Sequence, residues 1–126
     1  MTGPARRTRQ ESGARGRKEG RFAEAIAAVL LMVKGYQILG FRLKTPSGEI
    51  DLLARKGKTL AVVEVKRRAT LEAALAALTP QQTDRLVAAA QQVVRGRKAL
   101  QALEIRLDLV ALAPGRFPRH RRGVGA

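Results

Sequence analysis

At 126 residues, 45% of them hydrophobic, the chain suits one domain with a single core. The absence of cysteine excludes disulfides, thiolate metal sites and a cysteine nucleophile, and fits a reducing cytoplasm. A formal charge of +15 predicts a polyanionic partner, nucleic acid ahead of an anionic membrane.

The charge gathers at the ends. Residues 1–21 carry seven basic side chains against two acids, +5, and residues 114–126 carry four arginines, +4, leaving +6 on residues 22–113. Neither end has a hydrophobic pattern, so 1–20 reads as a basic flexible arm, 21–113 as the folded domain and 114–126 as a basic tail. The first twenty residues have no apolar stretch of the signal-peptide kind. The apolar run Ala25 to Val33 is well short of the roughly 20 residues that span a bilayer. The expectation is a cytoplasmic protein with no membrane partner.

Phe22, Ile26, Val29, Leu30 and Val33 recur at helical spacing and predict a helix over about residues 21–34, ended by Gly35. Glu24 is its one charge between Phe22 and Val33, and it falls opposite the Phe22/Ile26/Val29 stripe. A helix apolar on both sides is covered on both or offers a partner face, so a homodimer stays open. A carboxylate there needs a partner, a cation or water. Tyr36 to Lys44 predicts a strand with an irregularity at Gly40, and Thr45-Pro46-Ser47-Gly48 a turn.

The stretch "GEIDLLARKGKTLAVVEVK", residues 48–66, predicts two strands around a Lys-Gly turn. Three of the chain's ten acids, Glu49, Asp51 and Glu64, lie in this hairpin, with Lys66. A two-residue loop at Lys56-Gly57 pairs Arg55 with Lys58, sets Asp51 against Val62 and sets Glu49 against Glu64. Any even loop places Asp51, Glu64 and Lys66 on one face, with Asp51 and Glu64 roughly 7 Å apart at Cβ as diagonal neighbours. Carboxylates that close repel, which raises a pKa or recruits a cation, and hard oxygen donors suit Mg²⁺ or Mn²⁺. Such an ion polarises a phosphodiester and acidifies an attacking water, while a nearby ammonium stabilises charge on the phosphate. The plainer alternative is a structural ion pair between Glu64 and Lys66.

Residues 70–78, rich in Ala and Leu, predict a short helix or a helical loop. Thr79-Pro80-Gln81-Gln82 predicts the start of another, with Thr79 as N-cap, Pro80 at N1 and Gln82 at N3, running to about Gly96. "LEIRLDLVAL", residues 103–112, predicts the last strand. The order is α-β-β-β-α-β. His120, alone among the arginines of the tail, reads as solvated. Three Phe and one Tyr offer no evident platform for stacking single-stranded bases, so nucleic-acid contacts should follow backbone and shape. Lys44, Arg55, Lys56, Lys58, Arg67 and Arg68 flank the acids and are the candidate phosphate contacts.

The block "GEIDLLARKGKTLAVVEVKRR" resembles the signature of the YraN-like family of endonuclease-like proteins. That family falls within the restriction-endonuclease-like, PD-(D/E)xK, superfamily and is similar to Holliday-junction resolvases. The likeness spans about residues 20–112, from Gly20 and Glu24 through Gly35 to Leu39, Gly48 to Leu52, Val63 to Lys66 and Thr79-Pro80 to Asp108. It implies an α/β fold with a mixed sheet flanked by helices, and a metal-dependent endonuclease acting on DNA, with branched or junction DNA among its substrates. Asp51 and Glu64 would hold Mg²⁺ or Mn²⁺ with Glu24, and Lys66 would be the catalytic lysine. Relatives often carry a lysine at the position of Gln82 and a glycine-bearing loop at residues 69–78, which puts one positive contact and the substrate geometry in doubt. The alternative is a non-catalytic nucleic-acid-binding protein on the same fold.

Overall fold

The computed structural model describes the backbone of residues 9–125 and the side chains of residues 20–125. Helix α1 (Arg9–Val33) leads into strands β1 (Gln37–Thr45), β2 (Gly48–Lys56) and β3 (Thr59–Arg67). Helices α2 (Leu71–Leu75) and α3 (Pro80–Arg95) follow, then a 3₁₀ turn at Lys98–Leu100 and strands β4 (Glu104–Leu112) and β5 (Arg119–Arg121). The strands form one sheet in the order β1-β2-β3-β4-β5, parallel between β3 and β4 and antiparallel elsewhere. This is the expected α/β class with a mixed sheet. Among the described residues no helix is long and apolar enough to cross a membrane.

Two departures occur at the ends. Helix α1 starts at Arg9, so residues 9–20 of the predicted arm are helical, while residues 1–8 lie outside the described residues. The predicted tail supplies β5, which pairs Leu109 with Arg121, Val110 with His120 and Ala111 with Arg119. Three short pairings would hold such a strand weakly, and buried side-chain bonds described below fasten it.

The sheet is covered on both faces. On one, Ala23, Ala27 and Leu31 of α1 pack against Leu52, Ala54, Val63 and Val110. On the other, Leu86, Ala89 and Ala90 of α3 pack against Ile50, Leu53, Val62 and Leu107. Buried on two sides, β3 shows the near-continuous apolar run of a central strand, Leu60 to Val63. The covered side of α1 is therefore its alanine side, which includes Glu24. Phe22, Val29, Met32 and Val33 face outward.

Local chemistry explains the element ends. Gly35 turns left-handed (φ 93) and lets the Gly35 and Tyr36 amides close back on Met32 and Leu31 carbonyls, ending α1 where expected. The irregularity expected at Gly40 is a register shift between Ile38 and Gly40. The Thr79 hydroxyl accepts from Gln82 N at 3.1 Å and Gln82 Oε1 accepts from Thr79 N at 3.0 Å, a complete capping box at α3. Thr79→Ala removes half of it and should lower unfolding free energy by about 1 kcal/mol, read from the urea midpoint at constant slope.

Candidate functional site

The hairpin turn consists of Gly57 and Lys58, with Lys56 paired to Thr59, Arg55 to Leu60 and Leu52 to Val63. The predicted register is thus displaced by one residue along the turn. The loop is still two residues long, so parity survives. The ladder ends at Leu52–Val63, so Asp51 has no cross-strand partner in it, neither the predicted Val62 nor another. Glu49 correspondingly leaves Glu64 and pairs across β1 with Lys44.

The two strands part at this point. Ile50 packs in the α3-side cluster and Leu52 in the α1-side cluster, although they are only two residues apart. In place of a ladder bond, the Asp51 carboxylate accepts the Val65 amide at 2.8 Å. A cavity of about 580 Å³ opens here, with Glu24, Asp51, Glu64, Arg67 and Arg68 in its lining. On the other side of Glu64 a smaller cavity, about 100 Å³, is bordered by Glu49, Gln82 and Arg85. The Arg85 stem occupies the space beside Gly48, where a Cβ would stand 3.3 Å from Arg85 Cδ.

Burial and the adjacent Asp51 push the Glu64 carboxyl up to about 8, against the opposing pull of Lys66. Glu64 therefore keeps its proton near neutrality. Lys66 Nζ stands 3.5 Å from Glu64 Oε1. Glu24, 8% exposed, is paired with the Arg42 guanidinium. Burial raises its pKa, Arg42 opposes the rise, and the charges of Asp51 and Glu49 add to it. Arg42 itself takes a left-handed backbone (φ 49), uncommon outside glycine. It sits between Phe41 and Leu43, which pair with Leu52 and Ile50 on either side of Asp51.

The structure thus brings Asp51, Glu64 and Lys66 together and sets Glu24 in the wall of the same cavity. It does not gather Glu24 with the acid pair: among the described residues no group of three or more His, Asp or Glu side chains is close enough to hold a metal ion. The partner demanded by the lone helical carboxylate is Arg42. Asp51 and Glu64 are the pair able to hold a hard cation, since they offer only oxygen donors and already compete for one proton.

Of the candidate phosphate contacts, Arg67 and Arg68 line the cavity. Arg55, Lys56 and Lys58 lie at the turn end of the hairpin, four residues of strand or about 13 Å from Asp51 at Arg55. There Arg55 Nε donates to Gly57 O, and Lys56 Nζ donates to Lys34 O while lying over the Tyr36 ring. Lys44 is beyond the cavity wall, opposite Glu49. Gln82 has its carbonyl oxygen committed to the Thr79 cap.

A second polar cluster escaped the sequence reading. Asp108, wholly buried, accepts Arg106 Nε and Nη2 at 2.8 Å each, His120 Nε2 at 2.7 Å and Gly123 N at 3.2 Å. His120 is not solvated: its side chain is fully buried. Lys34 Nζ lies 2.9 Å from His120 Nδ1 and has only protons to give. Nδ1 therefore accepts, and the imidazole proton on Nε2 points at Asp108. Burial pushes the Asp108 carboxyl up, but Arg106, His120 and the Gly123 amide outweigh it and bring the group to about 2. The alternation Arg106-x-Asp108 was legible as one strand face. Nothing local announced that β5 would bring His120 to it.

A mixed sheet with an acidic pair and a lysine at the parting of two central strands defines an α/β protein with an acid-lined surface cavity. The model of the Uncharacterised protein family UPF0102 matches residues 23–112, and the chain belongs to that family. A UPF0102 protein of Caulobacter vibrioides is 61% identical over 112 residues, 89% of this chain and 90% of the relative. One from Caulobacter sp. strain K31 is 57% identical over 89% and 81%, and one from Maricaulis maris is 45% identical over 92% and 88%. The matched segment includes every residue of the cavity's acidic set.

Proposed function

We propose that this chain is a divalent-metal-dependent endonuclease of the restriction-endonuclease-like class, hydrolysing phosphodiester bonds in DNA. The observation that carries the reading is the Asp51–Glu64 pair, set together in the lining of an open cavity with Arg67 and Arg68 and with Lys66 3.5 Å from Glu64. Two carboxylates contending for one proton are a cost to the fold unless a cation is to replace it. When bound, Mg²⁺ or Mn²⁺ would polarise the phosphodiester and lower the pKa of an attacking water.

The chain's own groups divide the remaining work. Asp51, held by the Val65 amide, keeps its orientation without help from the ion. Lys66 sets a positive charge beside Glu64, where negative charge would develop on the phosphate oxygens. Arg67 and Arg68 hold the backbone of the nucleic acid, which gives affinity without sequence preference.

The test incubates wild type, Asp51→Ala and Lys66→Ala with single-stranded, duplex and branched DNA in Mg²⁺ or Mn²⁺. Wild type should cleave, with both variants at least about a hundredfold slower. Equal cleavage by all three would remove the pair from catalysis. The pairing of Glu24 with Arg42 favours one rival, a nucleic-acid-binding protein without activity, which would bind these substrates and cut none.

A further inference from the structure

The cavity holding the acids does not end at Pro114. It shares Ala23, Arg67 and Pro114 with a second hollow of about 200 Å³, bordered by Phe22 and Arg116. That hollow in turn shares Arg116 and Pro118 with a third, about 600 Å³, bordered by Lys34, Phe117 and Arg119. The three hollows adjoin in succession, each sharing lining residues with the next, and together make an interrupted groove beside α1. Beyond Glu24 and the acid pair, no acidic side chain borders it among the described residues. Glu72 approaches Arg116 from outside at 3.6 Å, with both side chains more than half exposed, a pairing worth little in water.

Aromatic rings lie along the same groove. Phe22 is 67% exposed and Phe117 92%, and they border the second and third hollows respectively. The expectation of no stacking platform rested on the small number of aromatics. The fold places two of the three phenylalanines, rings outward, on the groove that leads from the acids. Phe117 belongs to the connection from β4 to β5, whose far end is anchored by His120 on Asp108.

We infer that this groove is the path of a single-stranded arm of the nucleic acid, entering or leaving beside Asp51 and Glu64, with Phe117 stacking one of its bases. The inference rests on the proposed nuclease site and names its substrate class: DNA with an unpaired strand next to the scissile bond. Cations spaced along a concave path follow a phosphate backbone, and an exposed ring tolerates any base. A flat lipid surface would not follow a groove that starts at an acid pair.

The chain has no tryptophan, so Phe117→Trp installs a single fluorescent reporter on the groove. Without divalent metal, a short oligothymidylate and an armed duplex should quench it, and a blunt duplex should not. Phe117→Ala should weaken binding of the armed duplex by roughly fivefold to a hundredfold, the range for losing one stacked base, and leave blunt-duplex affinity unchanged. Arg119→Glu should weaken the armed duplex as well and lower the salt dependence of its binding.

Equal affinity for armed and blunt duplexes with no quench would overturn the inference, even where cleavage and its loss in Asp51→Ala are intact. Arm-dependent quench without any cleavage would leave the groove standing and remove the nuclease reading. Phe117-dependent binding to vesicles of phosphatidylserine, with no response to oligothymidylate, would reassign the groove to a membrane and overturn it.

Discussion

Asp51→Asn should abolish metal-dependent cleavage, roughly a hundredfold to a thousandfold in rate, while the protein stays folded. The asparagine carbonyl oxygen still accepts the Val65 amide that Asp51 now accepts at 2.8 Å, so the parting of β2 and β3 survives. Only the charge is lost, and with it the proposed hold of the pair on a cation. Comparison with Asp51→Ala, which loses both, separates orientation from charge.

The same variant carries a stability signature in metal-free buffer. Glu64 is raised from 4.5 to about 8 by burial first and by Asp51 second. A carboxyl raised on folding contributes stability that is complete below its unfolded value and is lost as pH rises toward the folded one. Wild type should therefore lose stability between about pH 5 and about pH 8 in urea titrations. In Asp51→Asn the like charge is gone and burial remains, so the loss should be smaller. An undiminished loss in the variant would mean that Asp51 does not contribute to raising Glu64.

Asp108→Ala should produce the largest loss of stability, about 3–5 kcal/mol, because it leaves the buried His120 and the part-buried Arg106 without their acceptor. For a chain of this size that is a fall in Tm on the order of 15 °C or more. The loss should be directional as well. With Asp108 and His120 uncoupled, β5 keeps only its three backbone pairings. Trypsin should then cut first at Arg116, Arg119, Arg121 or Arg122, ahead of any site in β1 to β4.

The acid response distinguishes this carboxylate from the others. Asp108 is lowered from 3.8 to about 2, so its contribution is present above about pH 4 and is lost as pH falls toward 2. Wild type should show that decline, on the order of 2 kcal/mol. Asp108→Asn, less stable throughout, should not show it. A parallel decline in both proteins would mean that Asp108 is not the group being titrated.

Much of the acid site was legible along the chain because it depends on local periodicity. Alternation sets Glu64 and Lys66 on one side of β3, and an even loop predicts Asp51 beside them; the break between Ile50 and Leu52 leaves the Val65 amide to hold Asp51 there. The register was mistaken by one residue because Lys56-Gly57 and Gly57-Lys58 are both acceptable two-residue turns, and no local energy chooses strongly between them. Core packing of Leu52, Leu53, Val62 and Val63 against two helices made the choice. The Thr79 cap was readable for a similar reason, since both halves of the box lie within one turn.

Glu24, His120 and Phe117 were not readable in this way. Glu24 could be seen to need a partner, but Arg42 reaches it only through an irregular strand that takes up a left-handed residue. The tail looked solvated because its sequence is basic and without hydrophobic period. Its order comes from a buried carboxylate on another strand. Backbone period and short-range geometry were thus enough for the central strands, the α3 cap and the gathering of Glu64 and Lys66 near Asp51, but not for the covered face of α1 or for β5. Only the tertiary structure decided that Glu24 stands apart with Arg42, that His120 is a buried anchor and that the tail's phenylalanine borders a groove. Each of those depends on contacts between distant segments, which the packing of the whole sheet alone selects.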